Sequence, residues 1–230
     1  MIETIKEMPK TPMILNCKSH GEYEARYIEH WRSGFIVTKS CAKCVAEHDA
    51  RELEKKKKED RESHDERCRR RRLNAGISKR NLNKTFDSYI VKSESQNHAL
   101  ATCRDFAGKI KAGNNPGNLF LIGNVGTGKT HLASSIIDFA VDQNRCEIVR
   151  VIELMRMLKA TWARDSENTE QGIINHYANL DLLIVDEAGI QFGSDTEKMF
   201  MFDIINGRYE NELPTVIISN LAIDELKQVL

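Results

Sequence analysis

Apolar and polar residues alternate in blocks along the last two thirds of the chain. Between residues 74 and 230 the apolar runs "NLFLIG", "CEIVRVIE", "DLLIVDEAG" and "PTVIISN" are separated by longer stretches with helical spacing. Runs that stay apolar at successive positions predict strands buried on both faces, and interleaved helices predict a parallel sheet covered on both sides. The predicted helices are "HALATCRDFAGKIKAG", capped at Gly113, then "KTHLASSIIDFAVDQN", "ELMRMLKATWARD", "QGIINHYANL", "TEKMFMFDIINGRYEN" and "AIDELKQVL". No internal repeat is present.

The first third reads differently. Residues 46–73 are almost pure charge, with good helix formers, no Gly and no Pro. They lack an apolar stripe, which predicts a solvated helix or linker with no face of its own to bury. Residues 1–45 carry short β-like stretches, "EYEARYI" and "GFIVT", among Cys and His. The predicted organisation is a metal-binding module over 1–45, a charged helical linker over 46–73 and an α/β domain over 74–230.

Lys+Arg and Asp+Glu are both 34 in 230 residues, so the chain as a whole carries no nucleic-acid signal. Locally, residues 67–84 hold eight Lys/Arg and no Asp/Glu, a stretch that suits either phosphate contacts or a solvated linker face. No apolar run approaches the roughly 18 residues that span a bilayer, and the N-terminus lacks a signal-peptide pattern. The expectation is a soluble, cytoplasmic protein without membrane contact. Six cysteines in that compartment point to reduced thiols or metal.

The stretch "GNVGTGKT", residues 123 to 130, fits G-x-x-x-x-G-K-S/T between a predicted strand and a predicted helix. Glycines let such a loop curl until its backbone N–H groups point inward at phosphate oxygens, and the helix N-terminus adds unpaired N–H groups. Gly123, Asn124, Val125, Gly126, Thr127, Gly128, Lys129 and Thr130 are therefore the candidate nucleotide contacts. Lys129 is placed to reach the β- and γ-phosphates of ATP, and Thr130 to ligate Mg²⁺.

"LLIVDE", residues 182 to 187, is an apolar strand ending in two carboxylates at the sheet edge where α/β proteins bind ligands. Asp186 is the candidate Mg²⁺ partner, and Glu187 the candidate that orients an attacking water. In "VIISN", Asn220 either caps the following helix or senses the γ-phosphate; beside the other two motifs the sensor reading is preferred. Lys129, Glu187 and Asn220 are thus the candidate catalytic residues.

"CKSH" and "CAKC" place Cys17, His20, Cys41 and Cys44 as two close pairs twenty residues apart. That spacing suits a tetrahedral Zn²⁺ site in which each pair bites through a tight turn. Too short to build a core, the segment would draw folding energy from the metal. His30 and His48 are alternative ligands at poorer spacing. Cys68, Cys103 and Cys146 stand alone and read as ordinary thiols.

With these residues in view, the strings "GNVGTGKTHLA", "LLIVDEAG" and "FDIINGRYENELPTVIISNL", preceded by "NAGISKRNLNKTFDSYIV", resemble AAA+ ATPases of the DnaC type, the bacterial and phage helicase loaders. The run after Thr130, from His131 to Ala133, is shared with DnaA initiators and IstB transposition helpers. The resemblance covers about residues 74 to 230. It implies a P-loop AAA+ fold and slow, partner-regulated ATP hydrolysis. It also implies binding to the hexameric replicative helicase, delivery of that helicase onto single-stranded DNA, and a homo-oligomer formed on ATP binding. An IstB-like transposition helper, or a zinc-dependent DNA-binding adaptor with a vestigial ATPase core, is the alternative.

The resemblance departs at the C-terminus. The family continues into a segment whose arginine completes a neighbouring subunit's site, whereas this sequence stops at Leu230, either because it is a fragment or because the protein is naturally short. Nucleotide binding is expected, with robust hydrolysis and ring assembly weakened. Arg208 is the remaining candidate for a role across an interface, set against a structural ion pair. His131 is expected to pack beside the loop, Phe86 and Tyr89 to border the adenine pocket or pack under the loop, and Trp162 to lie in the core. Tyr27 and Trp31 are candidates for a surface that meets protein or single-stranded DNA.

Overall fold

The structure, a computed structural model, describes residues 3–30, 34–163, 165–189, 195–222 and 224–225. The chain divides into two compact units, residues 1–65 and 66–230.

The first unit begins with β1 (Glu3–Ile5), β2 (Ile14–Cys17), β3 (Gly21–Glu24), β4 (Arg26–His30) and β5 (Gly34–Thr38). β2 and β3 form an antiparallel hairpin, and β1, β5 and β4 form a three-stranded antiparallel sheet in that order. The stretch "EYEARYI" is therefore two strands. It breaks at Ala25, whose N–H still donates to the carbonyl of Met13 at 2.9 Å, while Arg26 onward pairs with β5 instead. Trp31 falls outside the described residues. Tyr27, the other aromatic of that pair, accepts a bond from the Met13 N–H at 3.2 Å.

The charged stretch lies within α1 (Ala42–Asn74), which has no buried residue. At about 1.5 Å per residue it is roughly 50 Å long. Arg71 and Arg72 occupy its last turn, where cations oppose the negative end of the helix dipole. The helix stops at Asn74, and Gly76 beyond it, with φ +81°, lets the Ile77 N–H close onto the Arg72 carbonyl at 3.1 Å.

The second unit is built on a parallel sheet of β6 (Leu119–Ile122), β7 (Cys146–Arg150), β8 (Leu182–Ala188) and β9 (Thr215–Ser219), in the order β6-β9-β8-β7. Its helices are α2 (Glu94–Lys111), α3 (Lys129–Ala140), α4 (Val151–Ala160), α5 (Glu170–Ala178) and α6 (Asp195–Glu210). Successive side chains on a strand point to opposite faces. Leu182 and Ile184 of β8, with Val216 and Ile218 of β9, pack on Phe106, Leu132 and Ile136 from α2 and α3. Leu183 and Val185, with Ile217, pack on Leu154, Leu158, Tyr177, Phe200 and Ile204 from α4, α5 and α6. Two apolar layers thus clamp β8 and β9, whereas β6 lies at the sheet edge and leaves Phe120 and Ile122 exposed, which corrects the expectation that its run is buried on both faces.

Three further expectations change. The strand predicted over 146–153 stops at Arg150, and "VIE" begins α4, because Val151 and Leu154 bury one helical face. Trp162 is exposed rather than in the core, and its indole N–H donates to Glu170 at 3.2 Å. Arg208 is 1% exposed, which rules it out as a residue reaching across an interface. Among the described residues no ion pair holds it. It donates to the carbonyls of Tyr177, Leu180 and Pro214 and to the Thr215 hydroxyl at 2.7–2.9 Å. Burial pushes its pKa down to about 10. The predicted helix "AIDELKQVL" lies mostly outside the described residues.

The basic stretch is partly neutralised. Arg71 pairs with Asp142 at 2.8 Å, Arg72 with Asp138, and Arg70 with Glu66 at 3.1 Å. Cys103 and Cys146 are buried, and burial pushes both thiols up to about 12.

Candidate functional site

The loop after β6 and the first turn of α3 curl at the C-terminal edge of the sheet. One concave surface there is lined by Gly128, Lys129, Thr130, Asp186, Glu187 and Asn220, among others. The lining brings together the predicted loop, acids and sensor from three separate stretches of chain.

Lys129 is the centre of that surface. Its ammonium donates to the carbonyls of Gly123 at 2.6 Å and Asn124 at 2.9 Å, and to the side-chain oxygen of Asn220 at 2.8 Å. Burial lowers its pKa, and the nearby Asp186 opposes that shift. Three acceptors match the three N–H bonds of an ammonium. An incoming phosphate must therefore take the place of at least one.

Thr130 and Asp186 meet across the same cleft. The Thr130 hydroxyl donates to Asp186 Oδ2 at 3.2 Å, and the Glu187 N–H donates to Asp186 Oδ1 at 2.8 Å. A hydroxyl and a carboxylate side by side are the hard oxygen donors that Mg²⁺ takes. The strand is irregular here. Its register with β9 shifts between Val185 and Ala188, and Glu187 sits at φ +61°. Left-handed backbone at a non-glycine residue costs about 1–3 kcal/mol and concentrates at functional sites. Here the bulge turns the chain just where the two acids emerge.

The loop is held from outside by residues the sequence left ambiguous. Gly128 has φ +93°, and a Cβ on it would meet the Tyr89 ring at 2.6 Å. The Tyr89 hydroxyl donates to the Thr127 carbonyl at 3.0 Å, and the Gln96 amide donates to the same oxygen at 3.4 Å. His131 packs edge-on against Tyr89, with ring centroids 5.1 Å apart. Its Nε2 lies 2.9 Å from the Thr85 carbonyl. A carbonyl only accepts, so that nitrogen carries the proton and His131 acts as a strut. Tyr89 thus packs against the loop, while Phe86 is buried in the core. Gln96 gave no signal in the sequence, because its partner is distant along the chain.

In the first unit, Cys17, His20, Cys41 and Cys44 gather with their ligand atoms all within 4.8 Å of one another. Cys17 and His20 flank the β2–β3 turn, and Cys41 and Cys44 stand at the N-terminus of α1. The Cys17 and Cys44 sulfurs are 3.4 Å apart, and His20 Nδ1 lies 3.3 Å from Cys44 and 3.7 Å from each of Cys17 and Cys41. Zn–S bonds of about 2.3 Å and Zn–N bonds of about 2.0 Å in a tetrahedron separate the ligand atoms by roughly 3.5–3.8 Å, so the donor set fits zinc. The Ser19 backbone amide and then the Cys44 thiol draw Cys17 down to about 6, and bonding to the Cys17 sulfur holds Cys44 up at about 11. His30 and His48 are not among the grouped donors, which corrects them as alternative ligands. Among the described residues no helix is long and apolar enough to cross a membrane.

Comparison with known proteins identifies the family and the fold. The family model for IstB-like ATP binding protein matches residues 48–230. The replicative helicase loader DnaC of Escherichia coli K12 is 31% identical over 157 residues, which are 68% of this chain and 63% of that protein. The chain therefore aligns with just under two thirds of the length of that relative. A crystal structure of the DnaC helicase loader superposes with a TM-score of 0.57 at 25% identity, covering 66% of this chain and 90% of that one. AMPPCP-bound DnaA from Aquifex aeolicus shares the fold, with a TM-score of 0.55 at 23% identity over 64% of this chain and 45% of that one. The chain belongs to the IstB-like ATP-binding protein family, with the AAA+ P-loop fold and a resemblance to the DnaC helicase loaders.

Proposed function

We propose that this chain binds ATP with Mg²⁺ in the cleft between β6 and α3, hydrolyses it slowly, and uses the cycle to load a replicative helicase. The observation that carries the reading is the convergence of Lys129 with Asn220, and of Thr130 with Asp186, on one surface.

The roles follow from the chemistry of each group. Residues 123–130 wrap the triphosphate with backbone N–H groups, and the first turn of α3 adds its own. Lys129 exchanges an acceptor for phosphate oxygens and carries positive charge to them. Thr130 and Asp186 hold Mg²⁺, which offsets charge on the phosphates when bound. Glu187 orients a water for in-line attack and accepts its proton, and Asn220 reports the state of the γ-phosphate to β9. Cys17, His20, Cys41 and Cys44 hold zinc and organise the module over residues 1–45, ahead of the charged linker over 46–73 and the ATPase domain over 74–230.

The similarity to DnaC, a replicative helicase loader, supports a replicative helicase as the partner. That this helicase is hexameric, that it is delivered onto single-stranded DNA and that copies of the chain associate on ATP binding are further parts of the proposal. Co-precipitation of the purified helicase from the same host, with ATP and without nucleotide, tests the reading. Capture that requires ATP and disappears in Lys129→Ala supports it. Capture of a transposase in place of the helicase would favour the transposition-helper alternative. Equal capture with and without nucleotide would remove the switch.

A further inference from the structure

We propose that Glu47 is a positioning residue for the metal centre: its carboxylate fixes the His20 ring so that Nδ1 faces the three cysteine sulfurs. This rests on the zinc reading of the Cys17, His20, Cys41 and Cys44 cluster, and it adds a residue that the ligand spacing does not reveal.

The two nitrogens of His20 have different neighbours. Nδ1 looks into the thiol cluster, 3.3 Å from Cys44 and 3.7 Å from Cys17 and Cys41. Nε2 looks away from it and lies 3.0 Å from Glu47 Oε1. An ionised carboxylate only accepts hydrogen bonds, so Nε2 carries the proton in this pair. In the neutral ring the lone pair is then on Nδ1, the nitrogen turned toward the sulfurs. A metal-bound histidine commonly donates its other N–H to a carboxylate in this way, which fixes the tautomer and raises the basicity of the ligand.

Placement on the helix makes the contact systematic. Glu47 follows Cys44 by three residues in α1, and residues three apart share a face of a helix. One helical turn therefore supplies a ligand and the group that aims another ligand toward it. The His20 side chain is 17% exposed and that of Glu47 is 55% exposed. A hydrogen bond so open to water on the Glu47 side contributes little stability by itself. Its consequence is orientation of the His20 ring. His48, the neighbouring histidine on the helix, faces Asp49 at 3.6 Å and does not compete for Glu47.

The test uses the full-length zinc-loaded protein. Zinc affinity is measured by competition with a chromophoric chelator for the natural sequence, Glu47→Gln and Glu47→Ala. The natural sequence is also examined by long-range ¹H–¹⁵N spectroscopy of its histidines. The expected result is one zinc per chain, bound through Nδ1 of His20 with Nε2 protonated. Affinity should fall by about 10- to 100-fold in Glu47→Ala. Glu47→Gln should lie between the two, because its amide oxygen still accepts the N–H. A zinc-binding natural protein whose affinity is matched within twofold by Glu47→Ala would overturn the role of Glu47 alone. So would ligation through Nε2, a result that needs no variant to fold. Natural protein that binds no zinc would overturn the zinc reading itself.

Discussion

The ammonium of Lys129 donates to the side-chain oxygen of Asn220 at 2.8 Å, joining the first turn of α3 to the end of β9 across 91 positions of sequence. With the carbonyls of Gly123 and Asn124, Asn220 completes the acceptors of Lys129. Asn220 is therefore coupled to the same lysine that is proposed to meet the phosphates. Asn220→Ala should lower ATP turnover by roughly 100-fold, the scale of losing one preorganised polar group at a reacting centre, while nucleotide affinity changes only a few-fold. Phosphate release and nucleotide titration, measured side by side, separate the two effects.

Gly128 is the position where backbone and packing both demand glycine. Gly128→Ala forces a Cβ into a left-handed conformation, which costs about 1–2 kcal/mol. It also drives that carbon onto the Tyr89 ring at 2.6 Å. Nucleotide affinity should fall at least tenfold and the thermal midpoint should drop. Tyr89→Ala added to Gly128→Ala should restore only part of the loss, because it relieves the collision and leaves the φ penalty. Fluorescent-nucleotide titration with a thermal melt reads both.

Arg208 holds the end of α6 to the loops before β8 and β9. Arg208→Ala leaves three carbonyls and a hydroxyl without their donor, in a site 1% exposed. Unsatisfied buried groups cost about 1–3 kcal/mol each, and partial relaxation brings the expected loss to about 3 kcal/mol or more. Arg208→Lys should recover little, since a point-like ammonium cannot span the acceptors that a planar guanidinium reaches. Urea unfolding of the three proteins gives the comparison.

Chelation should act on one unit only. Stripping zinc removes the cross-link between the β2–β3 turn and the start of α1, in a unit with few buried apolar residues. Protease sensitivity should rise within residues 1–45 while the unit holding β6 to β9 keeps its resistance and its nucleotide affinity. Limited proteolysis followed by mass spectrometry locates the new cuts.

How much of this was legible follows from the range of the interactions. The meeting of the loop over residues 123–130 with the acids near the end of β8 was readable because each is a contiguous motif with its own local geometry. The sheet was readable because β8 and β9 are buried on both faces, leaving no alternation to confuse with an exposed strand. The boundary at Arg150 was not readable, since Val151 and Ile152 suit a strand as well as a helix and only the burial of Leu154 and Leu158 decides. Trp162 was misplaced because apolar character does not say which side of a helix end faces water. The buried setting of Arg208, the Tyr89 strut and the Gln96 anchor depend on partners from other elements, which no local pattern encodes.

The central claim is that the surface around Lys129 is a site for ATP with Mg²⁺. Calorimetric titration of the full chain with ATP and Mg²⁺ tests it most directly, with Lys129→Ala measured in parallel. The account predicts one saturable site per chain, lost or weakened at least 100-fold in Lys129→Ala. Absence of binding to the natural sequence, or equal binding by both proteins, would contradict it.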